Sequence, residues 1–472
     1  MQEESLQSPT PDPSGSFRDS VATISKEGRR NWIYPKKPKG PLYDKRTIVS
    51  VVLLALMFSG PFMKVNGHPL MLFNILERKF ILFGVAFWPQ DFDLFVLAML
   101  TFIVFIILFT ALFGRLWCGW ACPQTIFMEM VFRKIEYLIE GDYMQQKALN
   151  AEPPNPRKFR KKALKNIIFF LLSFLIANTF LAYLIGIDEL KAIVTDDPSK
   201  HTGGLISLII FTSVFYGVYT KFREQACIVV CPYGRLQGVL LDKNSVVIAY
   251  DYKRGEPRGK MHKGEDRKIG DCIDCHQCVQ VCPTGIDIRN GTQMECVNCT
   301  ACIDACDAIM EKVELPKGLI RYTSEEAIAS GKKFKVTTRI IGYSIVLSIL
   351  LGSLITLLAL RSDVEATVLR TPGMLFQQQE NNGVSNLYNI KIVNKTFKDL
   401  PLEIKVTEPA GSIRWVGHGI SILKEQDIAE GEFFLILDKK LILKTKTKIR
   451  LQILSNGVVV DEAETNFIGP TN

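Results

Sequence analysis

The sequence predicts a multi-domain integral membrane protein with five transmembrane helices, a cysteine-rich insert and a C-terminal all-β sandwich. Three observations predict this fold class. Five apolar runs are long enough to cross a bilayer. Twelve cysteines fall in three groups, and none follows Cys306. The last hundred or so residues change to short runs of alternating polar and apolar residues, which are typical of β-strands.

The composition supports a membrane protein with soluble parts. The 472 residues are 47% hydrophobic and 22% charged, with a formal net charge of +9. Lys and Arg residues crowd beside the apolar runs, which points to orientation in a membrane and not to nucleic-acid binding. No arginine-rich or aromatic nucleic-acid motif is evident in the sequence.

The elements follow one another in a simple order. Residues 1–46 are polar and proline-rich, then basic, without an early apolar core, so we predict a flexible cytoplasmic tail and not a cleaved signal peptide. The five predicted membrane helices cover residues 47–63, 94–116, 167–187, 204–220 and 340–360. No Lys, Arg or Asp lies at the centre of any run, where each would cost about 2.5–3.5 kcal/mol.

Loop charges predict the orientation. The segment between the second and third runs ends in a basic stretch (Arg157, Lys158, Arg160, Lys161, Lys162), whereas the next loop is slightly acidic. By the positive-inside rule, the N-terminus, the basic segment and the cysteine-rich residues 221–339 are cytoplasmic. Residues 362–472 are then exported to the periplasm.

Two further segments carry structural predictions. Residues 70–90 are apolar but interrupted by Glu77, Arg78 and Lys79, which predicts an interfacial or re-entrant piece at the outer face. In the exported tail, residues 387–393, 433–437 and 448–454 alternate as strands do. Turn-forming residues separate them at 381–383, 430–431 and 455–457, which predicts the sandwich.

The strongest chemical signal is a pair of cysteine runs. The first has the spacing C-x2-C-x2-C-x3-C-P, and the second repeats it with Asp307 in place of the proline. This is the spacing of ferredoxins with two [4Fe–4S] clusters, in which the fourth cysteine of each run serves the other cluster. The predicted ligands of one cluster are Cys272, Cys275, Cys278 and Cys306, and those of the other are Cys282, Cys296, Cys299 and Cys302.

Two other kinds of metal site, a zinc site and a c-type haem, are less favoured for these cysteines. C-x2-C pairs also bind zinc, but two quadruplets with this spacing favour iron–sulfur clusters. Cys272, Cys275 and His276 match the C-x-x-C-H pattern of c-type haem attachment. Both cysteines belong to the longer run, however, and the segment is predicted to be cytoplasmic, whereas c-type haem is attached outside. His276 is then a surface residue or one that tunes a cluster from outside its ligand set.

The remaining cysteines form two copies of C-x3-C-P. Cys118 and Cys122 follow the second predicted helix, and Cys227 and Cys231 follow the fourth. Residues i and i+4 of a helix share a face, so we expect each motif to present two sulfurs together. Four soft thiolates suit Cu(I) or another soft metal and also permit redox chemistry. The simpler interpretation is buried membrane cysteines, and a third cluster is less favoured because the spacing is not that of ferredoxins.

Taken together, these motifs resemble the CcoG family, also called FixG or RdxA proteins, over about residues 34–468. Residues 87–91, 386–388 and 394–396 also look like that family. The resemblance implies an immunoglobulin-like C-terminal domain and a role as an accessory protein in the assembly of cbb3-type cytochrome c oxidase. It further implies reduction of Cu(II) to Cu(I) for the oxidase copper centre. The copper-handling, catalytic thiols would be Cys118, Cys122, Cys227 and Cys231, and the eight ferredoxin cysteines would hold the clusters.

The full hypothesis is a copper-reducing assembly factor of the bacterial inner membrane. Its expected partners are the lipid bilayer, a cytoplasmic electron donor, and either oxidase subunits or a copper transporter or chaperone; the sequence does not decide whether the chain forms a homo-oligomer. The alternative is a quinol-linked membrane ferredoxin that feeds a periplasmic reductase, and a third interpretation is a scaffold that holds clusters for stability. The predicted domains are residues 1–46, 47–220, 221–339, 340–361 and 362–472.

Overall fold

A computed structural model describes residues 22–24, 27, 29–65, 67–75, 79–88, 91–260, 269–331, 336–379, 382–442 and 444–470. The chain folds into two compact units. The first comprises Met1–Phe62 and Met99–Leu351, and the second comprises Met63–Ala98 and Gly352–Asn472. The segment between the first two membrane helices therefore belongs with the C-terminal part of the chain, although the sequence assigned it to the helix bundle. The finer domain limits drawn from the sequence stay predictions.

Helices dominate the first unit. In chain order the helices of the whole chain are α1 (Pro41–Ser59), α2 (Phe92–Phe113), α3 (Leu116–Trp120), α4 (Pro123–Thr125), α5 (Arg133–Ile139), α6 (Tyr143–Ala151), α7 (Pro156–Ile185), α8 (Ile187–Thr195), α9 (Thr202–Gly217), α10 (Pro232–Leu240), α11 (Tyr252–Gly255), α12 (Gln277–Gln280), α13 (Ala301–Lys312), α14 (Glu325–Ser330) and α15 (Thr338–Ala359). Three π-helical segments, Ile126–Phe132, Val218–Phe222 and Ala226–Val230, lie beside the C-x3-C-P motifs.

The five predicted membrane helices are confirmed within the described residues. The helices long and apolar enough to cross a bilayer are Pro41–Phe62, Phe92–Phe113, Pro156–Ile185, Thr202–Phe222 and Thr338–Ala359. The third begins well before the predicted start at Ile167, because its basic first turns are helical too. The side chain of Asn155 caps this end by accepting a hydrogen bond from the Lys158 backbone N–H at 2.7 Å.

The cysteine-rich insert contains a two-stranded sheet whose strands lie before and after the cysteine runs in the chain. Strand pairing is antiparallel between the two central strands, Val247–Tyr250 and Ile320–Thr323. Helices α12 and α13 pack beside them around an apolar core that includes Ile248, Ile303 and Met310. The core also contains cysteines of both runs, so the ferredoxin-like segment is folded around its own sulfur atoms.

Strands dominate the second unit. In chain order the strands of the whole chain are β1 (Lys64–Val65), β2 (His68–Pro69), β3 (Met71–Asn74), β4 (Lys79–Leu82), β5 (Val85–Phe87), β6 (Val247–Tyr250), β7 (Ile320–Thr323), β8 (Val364–Arg370), β9 (Gln377–Gln378), β10 (Gly383–Asn394), β11 (Leu400–Pro401), β12 (Glu403–Glu408), β13 (Ser412–Val416), β14 (Ile422–Leu423), β15 (Ile428–Asp438), β16 (Lys446–Ser455) and β17 (Val458–Ile468).

The C-terminal strands form the predicted sandwich. One sheet has the order β13-β15-β10-β8, with β9 beside β10, and the other has the order β12-β16-β17. All of these pairs are antiparallel. Tyr388 and Phe433 are fully buried between the sheets and stack with ring centroids 5.7 Å apart. The three strands expected from alternation lie within β10, β15 and β16.

The turn expected at Glu430 and Gly431 is wrong, because both residues lie inside β15. A Cβ atom at Gly431 would lie 3.1 Å from the Trp415 ring, so close packing requires this glycine. The turn expected at Asn456 and Gly457 is correct. Both residues have positive φ angles, 52° and 82°, as the tight turn between β16 and β17 requires.

Residues 70–90, for which we expect an interfacial or re-entrant segment, form strands where they are described, and their position relative to the membrane stays a prediction. They form the antiparallel sheet β3-β4-β5, whose buried face includes Leu72, Ile81 and Ala86. Alternation of apolar residues explains the sheet, since every second side chain points to the same side. The interrupting residues Glu77 and Arg78 lie outside the described residues.

The predicted flexible tail is ordered over its basic part. The Lys36 backbone N–H donates to the Gln280 carbonyl at 2.7 Å, and Lys36 Nζ donates to Gln277 Oε1 at 2.8 Å. Tyr137 Oη donates to the Pro35 carbonyl at 3.0 Å. These contacts hold residues 35–36 against the ferredoxin-like segment. Residues 1–21 lie outside the described residues.

Candidate functional site

Eight cysteines line two neighbouring pockets in the first unit. The first cysteine pocket is lined by Cys272, Cys275, Cys278 and Cys306. The second cysteine pocket is lined by Cys282, Cys296, Cys299 and Cys302, and Cys278 lines it as well. Apart from this shared Cys278, each pocket collects three cysteines from one run and one from the other, as the interleaved assignment requires. Most other lining side chains are apolar, for example Ile248 in the second pocket and Leu319 in the first.

The two cysteine runs share one backbone conformation. Asp274 and His276 flank Cys275, and both have a φ of 54°. Asn298 and Thr300 flank Cys299, with φ angles of 53° and 66°. Asp, Asn and His tolerate this left-handed region, but a β-branched threonine rarely adopts it. The repeated conformation shows that the two runs are structural repeats, and the strained Thr300 marks the turn as functionally constrained.

A helix begins directly after each of these turns. His276 precedes α12, and Thr300 precedes α13. Thr300 is fully buried, and its hydroxyl donates to the Cys299 carbonyl at 2.6 Å. The first N–H groups of a helix lack partners inside the helix, and Cys278 and Cys302 are the second residues of α12 and α13.

The donor set fits iron–sulfur clusters. Burial raises the pKa of Cys296 to about 12 and that of Cys299 to about 11, so bare thiolates are unfavourable there. Iron would supply the positive charge that such thiolates need. In the described ranges, no three His, Cys, Asp or Glu side chains converge closely enough to hold a single ion. A four-iron cube takes one thiolate for each iron and suits this wider separation.

Charged residues surround the first cysteine pocket on its outer side. Arg289 lies on that pocket and forms ion pairs with Asp274 and with Asp287. Its Nη2 atom is also 2.9 Å from His276 Nδ1. His276 thus belongs to a polar network beside the pocket, as the sequence suggested. Cys275 is exposed, whereas Cys272 and Cys278 are buried.

The four cysteines of the C-x3-C-P motifs, here called the thiol quartet, lie close together. Cys118 belongs to α3 and Cys227 to a π-helical segment. Burial raises the pKa of each to about 12, and the charges of Cys122 and Cys231 act on both. Thiols of both motifs are therefore near enough to influence one another, but within the described residues no three of them converge closely enough to hold a single ion, so a shared metal site stays a prediction.

The motifs are not continuous helices, which differs from our expectation of two sulfurs on one helical face. Cys122 and Cys231 are extended, with ψ angles of 122° and 113°, and each precedes a new helix. Pro123 and Pro232 occupy the first position of those helices, where a missing N–H has no cost. The proline of each motif therefore ends one helical segment and begins the next.

The thiol quartet packs against the second cysteine pocket. Gly119 faces the backbone of Val297 and Asn298 so closely that a Cβ atom at 119 would overlap the Asn298 carbonyl. Cys118 packs in the same small apolar cluster as Cys299 and Val281. These contacts bring a C-x3-C-P motif directly beside a ferredoxin run.

Three family models match parts of the chain. A 4Fe-4S dicluster domain matches residues 222–325, and a 4Fe-4S binding domain matches residues 95–140. The IG-like fold at the C-terminal of FixG matches residues 354–470.

Curated relatives extend the similarity over most of the chain. Protein RdxA of Cereibacter sphaeroides is 33% identical over 399 residues, which cover 81% of this chain and 83% of RdxA. Protein RdxB of the same organism is 32% identical over 422 residues, which cover 85% of this chain and 87% of RdxB. The chain belongs to the FixG/RdxA family. Nitrogen fixation protein FixG of Rhizobium meliloti is 35% identical over 307 residues, which cover 63% of this chain and 58% of FixG.

Membership in the FixG/RdxA family agrees with the fold. The chain is an iron–sulfur electron-transfer protein with membrane helices and an Ig-like C-terminal domain. The match over residues 95–140 includes Cys118 and Cys122, the first C-x3-C-P motif. A model of an iron–sulfur family therefore matches the segment that contains these two thiols, for which the sequence suggested copper.

Two residues of this FixG/RdxA protein were missed by sequence reasoning. Gln237 is fully buried beside the quartet, and its Oε1 accepts from Cys118 Sγ at 3.3 Å, while its Nε2 has no partner in the described part of the chain. Arg115 is also buried and donates to the carbonyls of Met294 and Gly234. An arginine between an apolar run and Cys118 was a usable signal for Arg115. Nothing in the sequence singles out Gln237.

Proposed function

We propose that this protein reduces Cu(II) to Cu(I) at the thiol quartet for the copper centre of a cbb3-type oxidase. In this proposal, the eight ferredoxin cysteines hold two [4Fe–4S] clusters in the interleaved arrangement. Bound clusters would supply one-electron transfer. A cytoplasmic donor would provide the electrons, and an oxidase subunit or a copper transporter or chaperone would receive the Cu(I).

The contact between Gly119 and Asn298 carries this proposal. It sets the first C-x3-C-P motif against the second ferredoxin run with no space for a side chain between them. From the surface inward, the residues are Cys275, which is exposed, then Cys278, which lines both pockets, then Cys299 and Cys118, which share one apolar cluster. Such continuous packing supports electron transfer between the solvent side and the quartet.

The thiolate ligands of the quartet favour Cu(I), which is the product of the proposed reaction. Thiolates are soft ligands and prefer Cu(I) to Cu(II), so reduction strengthens binding. The raised pKa of Cys118 and Cys227, about 12 in each case, means that these thiols are protonated near neutral pH without a metal. Binding of Cu(I) would therefore release protons and be weaker at lower pH.

Charge supports the proposed orientation in the bacterial inner membrane. The start of α7 and the N-terminal segment are rich in Lys and Arg, whereas the turn before α9 carries Asp196 and Asp197. The positive-inside rule then puts the N-terminus and the cysteine pockets in the cytoplasm and the Ig-like domain in the periplasm.

A copper assay tests the proposed reaction. The purified full chain, with its clusters reduced by dithionite and excess reductant removed, is mixed with Cu(II) and a dye specific for Cu(I). We expect rapid Cu(I) formation, and its loss in Cys122→Ser and Cys231→Ser variants that retain their iron. Cu(I) formation at an unchanged rate in both variants would refute a role for the quartet.

A second candidate role for the quartet is a third [4Fe–4S] cluster. The 4Fe-4S binding domain that matches residues 95–140 favours it, since Cys118 and Cys122 are the cysteines in that range. Iron analysis separates the two roles. Two clusters correspond to about eight irons per chain, and three correspond to about twelve. Replacing the quartet cysteines would lower the iron content only if the quartet holds a third cluster.

A further inference from the structure

A polar cavity in the first unit has no role in the proposed copper chemistry. This polar cavity encloses about 350 Å³, which falls within the range of small-molecule sites. It lies between the N-terminal segment, α5, α6, α7 and the π-helical segment Val218–Phe222. The lining residues are Trp32, Tyr34, Glu136, Glu140, Gln146, Asn150, Lys162, Lys165, Asn166, Phe169 and Thr220.

The polar cavity lies at the level of a membrane boundary. Along α7, its lining changes from Lys162 and Lys165 to Phe169, which is the point where the basic first turns give way to the apolar run. On the same helix, Phe170 and Leu171 are exposed in the isolated chain and would face lipid. A ligand dissolved in the bilayer can therefore reach this level.

The charged groups of the cavity balance one another. Lys162 and Lys165 lie 2.9 Å and 2.8 Å from Glu140, and Lys165 also lies 3.5 Å from Glu136. Two carboxylates and two ammonium groups leave no net charge, so the cavity favours a neutral ligand over a lipid phosphate. Amide groups of Asn150, Asn166 and Gln146 offer hydrogen bonds to hydroxyl or carbonyl oxygens.

The two carboxylates of the cavity, Glu136 and Glu140, have different partners. Burial opposes the charge on Glu136, but Arg223 donates two hydrogen bonds at 2.6 Å and 2.8 Å and keeps the pKa of Glu136 at about 2. Glu136 is thus a fixed anion. Glu140 is buried as deeply but is bound only by the two lysines among the described residues. Glu140 therefore pairs with both lysines at the cavity wall.

Three aromatic rings connect the polar cavity to the thiol quartet. Phe169 lines the cavity and meets Phe132 edge-on at 4.8 Å between ring centroids. Phe132 stacks on Tyr219 at 4.3 Å and an interplanar angle of 12°. Tyr219 in turn meets Phe127 edge-on with ring centroids 5.9 Å apart. Phe127 lies in the π-helical segment Ile126–Phe132, which begins where the Ile126 N–H donates to the Cys122 carbonyl at 3.0 Å.

The stacked pair also has an unusual backbone. Phe132 and Tyr219 each lie in a π-helical segment. Such segments are rare and concentrate at functional sites. All three rings are almost completely buried. The rings between the cavity and the C-x3-C-P motif of Cys122 are therefore packed in one cluster and shielded from solvent.

We infer that the polar cavity binds the ring of a lipid-soluble hydroquinone, which is a second electron source beside the cytoplasmic donor of the clusters, and that its electrons reach copper at the quartet along Phe169, Phe132 and Tyr219. One hydroquinone loses two electrons and two protons and becomes a quinone. The two electrons reduce two Cu(II) ions in succession to Cu(I). Both protons leave to water. This inference rests on the proposed copper reduction for its acceptor, but binding of the ring does not.

Binding is tested with the full chain in lipid nanodiscs. Decylubiquinone is titrated while tryptophan fluorescence is recorded, since a quinone quenches a nearby indole and Trp32 lines the cavity. Asn166→Phe fills the cavity without removing a charged group, and we expect it to raise the Kd about tenfold or more. The control is Leu171→Phe, which makes a similar substitution at an exposed position further along α7. Trp32→Phe should abolish most of the quenching.

Electron transfer is tested with decylubiquinol as the only reductant and Cu(II) with a Cu(I)-specific dye as the acceptor. Phe132→Leu should leave the Kd unchanged and slow quinol-driven Cu(I) formation about tenfold. Dithionite-driven Cu(I) formation serves as the internal control and should be unaffected by Phe132→Leu and Asn166→Phe.

The outcomes separate this inference from the proposed function. Equal Kd values for the native chain, Asn166→Phe and Leu171→Phe would overturn the cavity as a quinone site. Normal quinol-driven Cu(I) formation in Phe132→Leu would overturn the aromatic route. Loss of dithionite-driven Cu(I) formation in the native chain would instead contradict the proposed copper reduction and leave the binding result standing.

Discussion

Gly119 lies directly against the backbone of Asn298, with no space for a side chain between them. The two residues belong to different motifs, a C-x3-C-P motif and the second ferredoxin run, which are far apart in the sequence. Arg46 strengthens the same contact by donating from Nε to the Gly119 carbonyl at 2.6 Å. Tyr322 adds a hydrogen bond to the Asn298 carbonyl at 3.3 Å and accepts one from Trp120 at 3.1 Å.

A methyl group at Gly119 should separate the two motifs. In Gly119→Ala the new Cβ would overlap backbone atoms, which cannot move as a flexible side chain does. We expect a destabilisation of about 1–3 kcal/mol from overpacking and slower Cu(I) formation. Gly203→Ala is the matched control, because nothing lies within 4 Å of a Cβ there. Thermal unfolding in detergent and the copper assay measure both effects; equal behaviour of the two variants would argue against the contact.

The interleaved assignment of ligands is tested with pairs of substitutions. If Cys272 and Cys306 serve one cluster, the variant Cys272→Ala/Cys306→Ala should keep about four irons per chain. The matched variant Cys272→Ala/Cys282→Ala removes a ligand from each pocket and should lose both clusters. Iron analysis of anaerobically purified protein gives the answer. The opposite pattern would mean that each run holds its own cluster.

A buried charge network in the second unit should be essential to its stability. Asp91 Oδ2 lies 2.6 Å from Arg361 Nη2, and Asp91 Oδ1 lies 2.6 Å from Lys395 Nζ. Asp91→Asn would remove the carboxylate that pairs with Arg361 and would leave Lys395 with Glu365 as its remaining ion-pair partner, and we expect a loss of about 3–5 kcal/mol. The control is Glu430→Gln in the exposed pair with Lys391, which should cost less than about 1 kcal/mol. Thermal unfolding of both variants compares them.

The effect of Asp91 should depend on pH. Burial opposes its ionisation, but hydrogen bonds from Arg361, Lys395 and the Trp88 N–H outweigh this and lower the pKa of Asp91. A lowered folded-state pKa contributes stability above the unfolded value of about 3.9, and this contribution is lost as pH falls through the folded value. The difference between the native chain and Asp91→Asn should therefore be constant from pH 5 to 7 and shrink below about pH 4. A difference that grows on acidification would contradict this assignment.

The proposed orientation predicts which parts of the chain are accessible from outside the cell. An epitope tag inserted between residues 261 and 268 should react with antibody only after the inner membrane is opened. A tag added after Asn472 should react in intact spheroplasts. The two tagged chains are each other's control, and the reverse pattern would invert the orientation.

The sequence was sufficient where a pattern is local. The length of an apolar run predicts a membrane helix, because the thickness of the bilayer determines how long such a helix must be. The spacing of the cysteines predicts a ferredoxin segment, because a loop that wraps a four-iron cluster requires that spacing. Alternation located β10, β15 and β16 for the same reason. Each of these signals needs only neighbouring residues.

Long-range packing could not be predicted in this way. Gly431 looked like a turn residue, but its role is to admit the Trp415 ring. The buried Gln237 beside Cys118 follows no motif. The segment Met63–Ala98 folds with the C-terminal part of the chain because its partners are far along the sequence. A single sequence read locally does not contain these contacts.

The central claim is that the eight ferredoxin cysteines hold two four-iron clusters, and metal analysis of the anaerobically purified chain tests it most directly. About eight irons and eight acid-labile sulfides per chain are expected, with the substitution of Cys302 reducing both. Stoichiometric zinc with no labile sulfide would contradict the account.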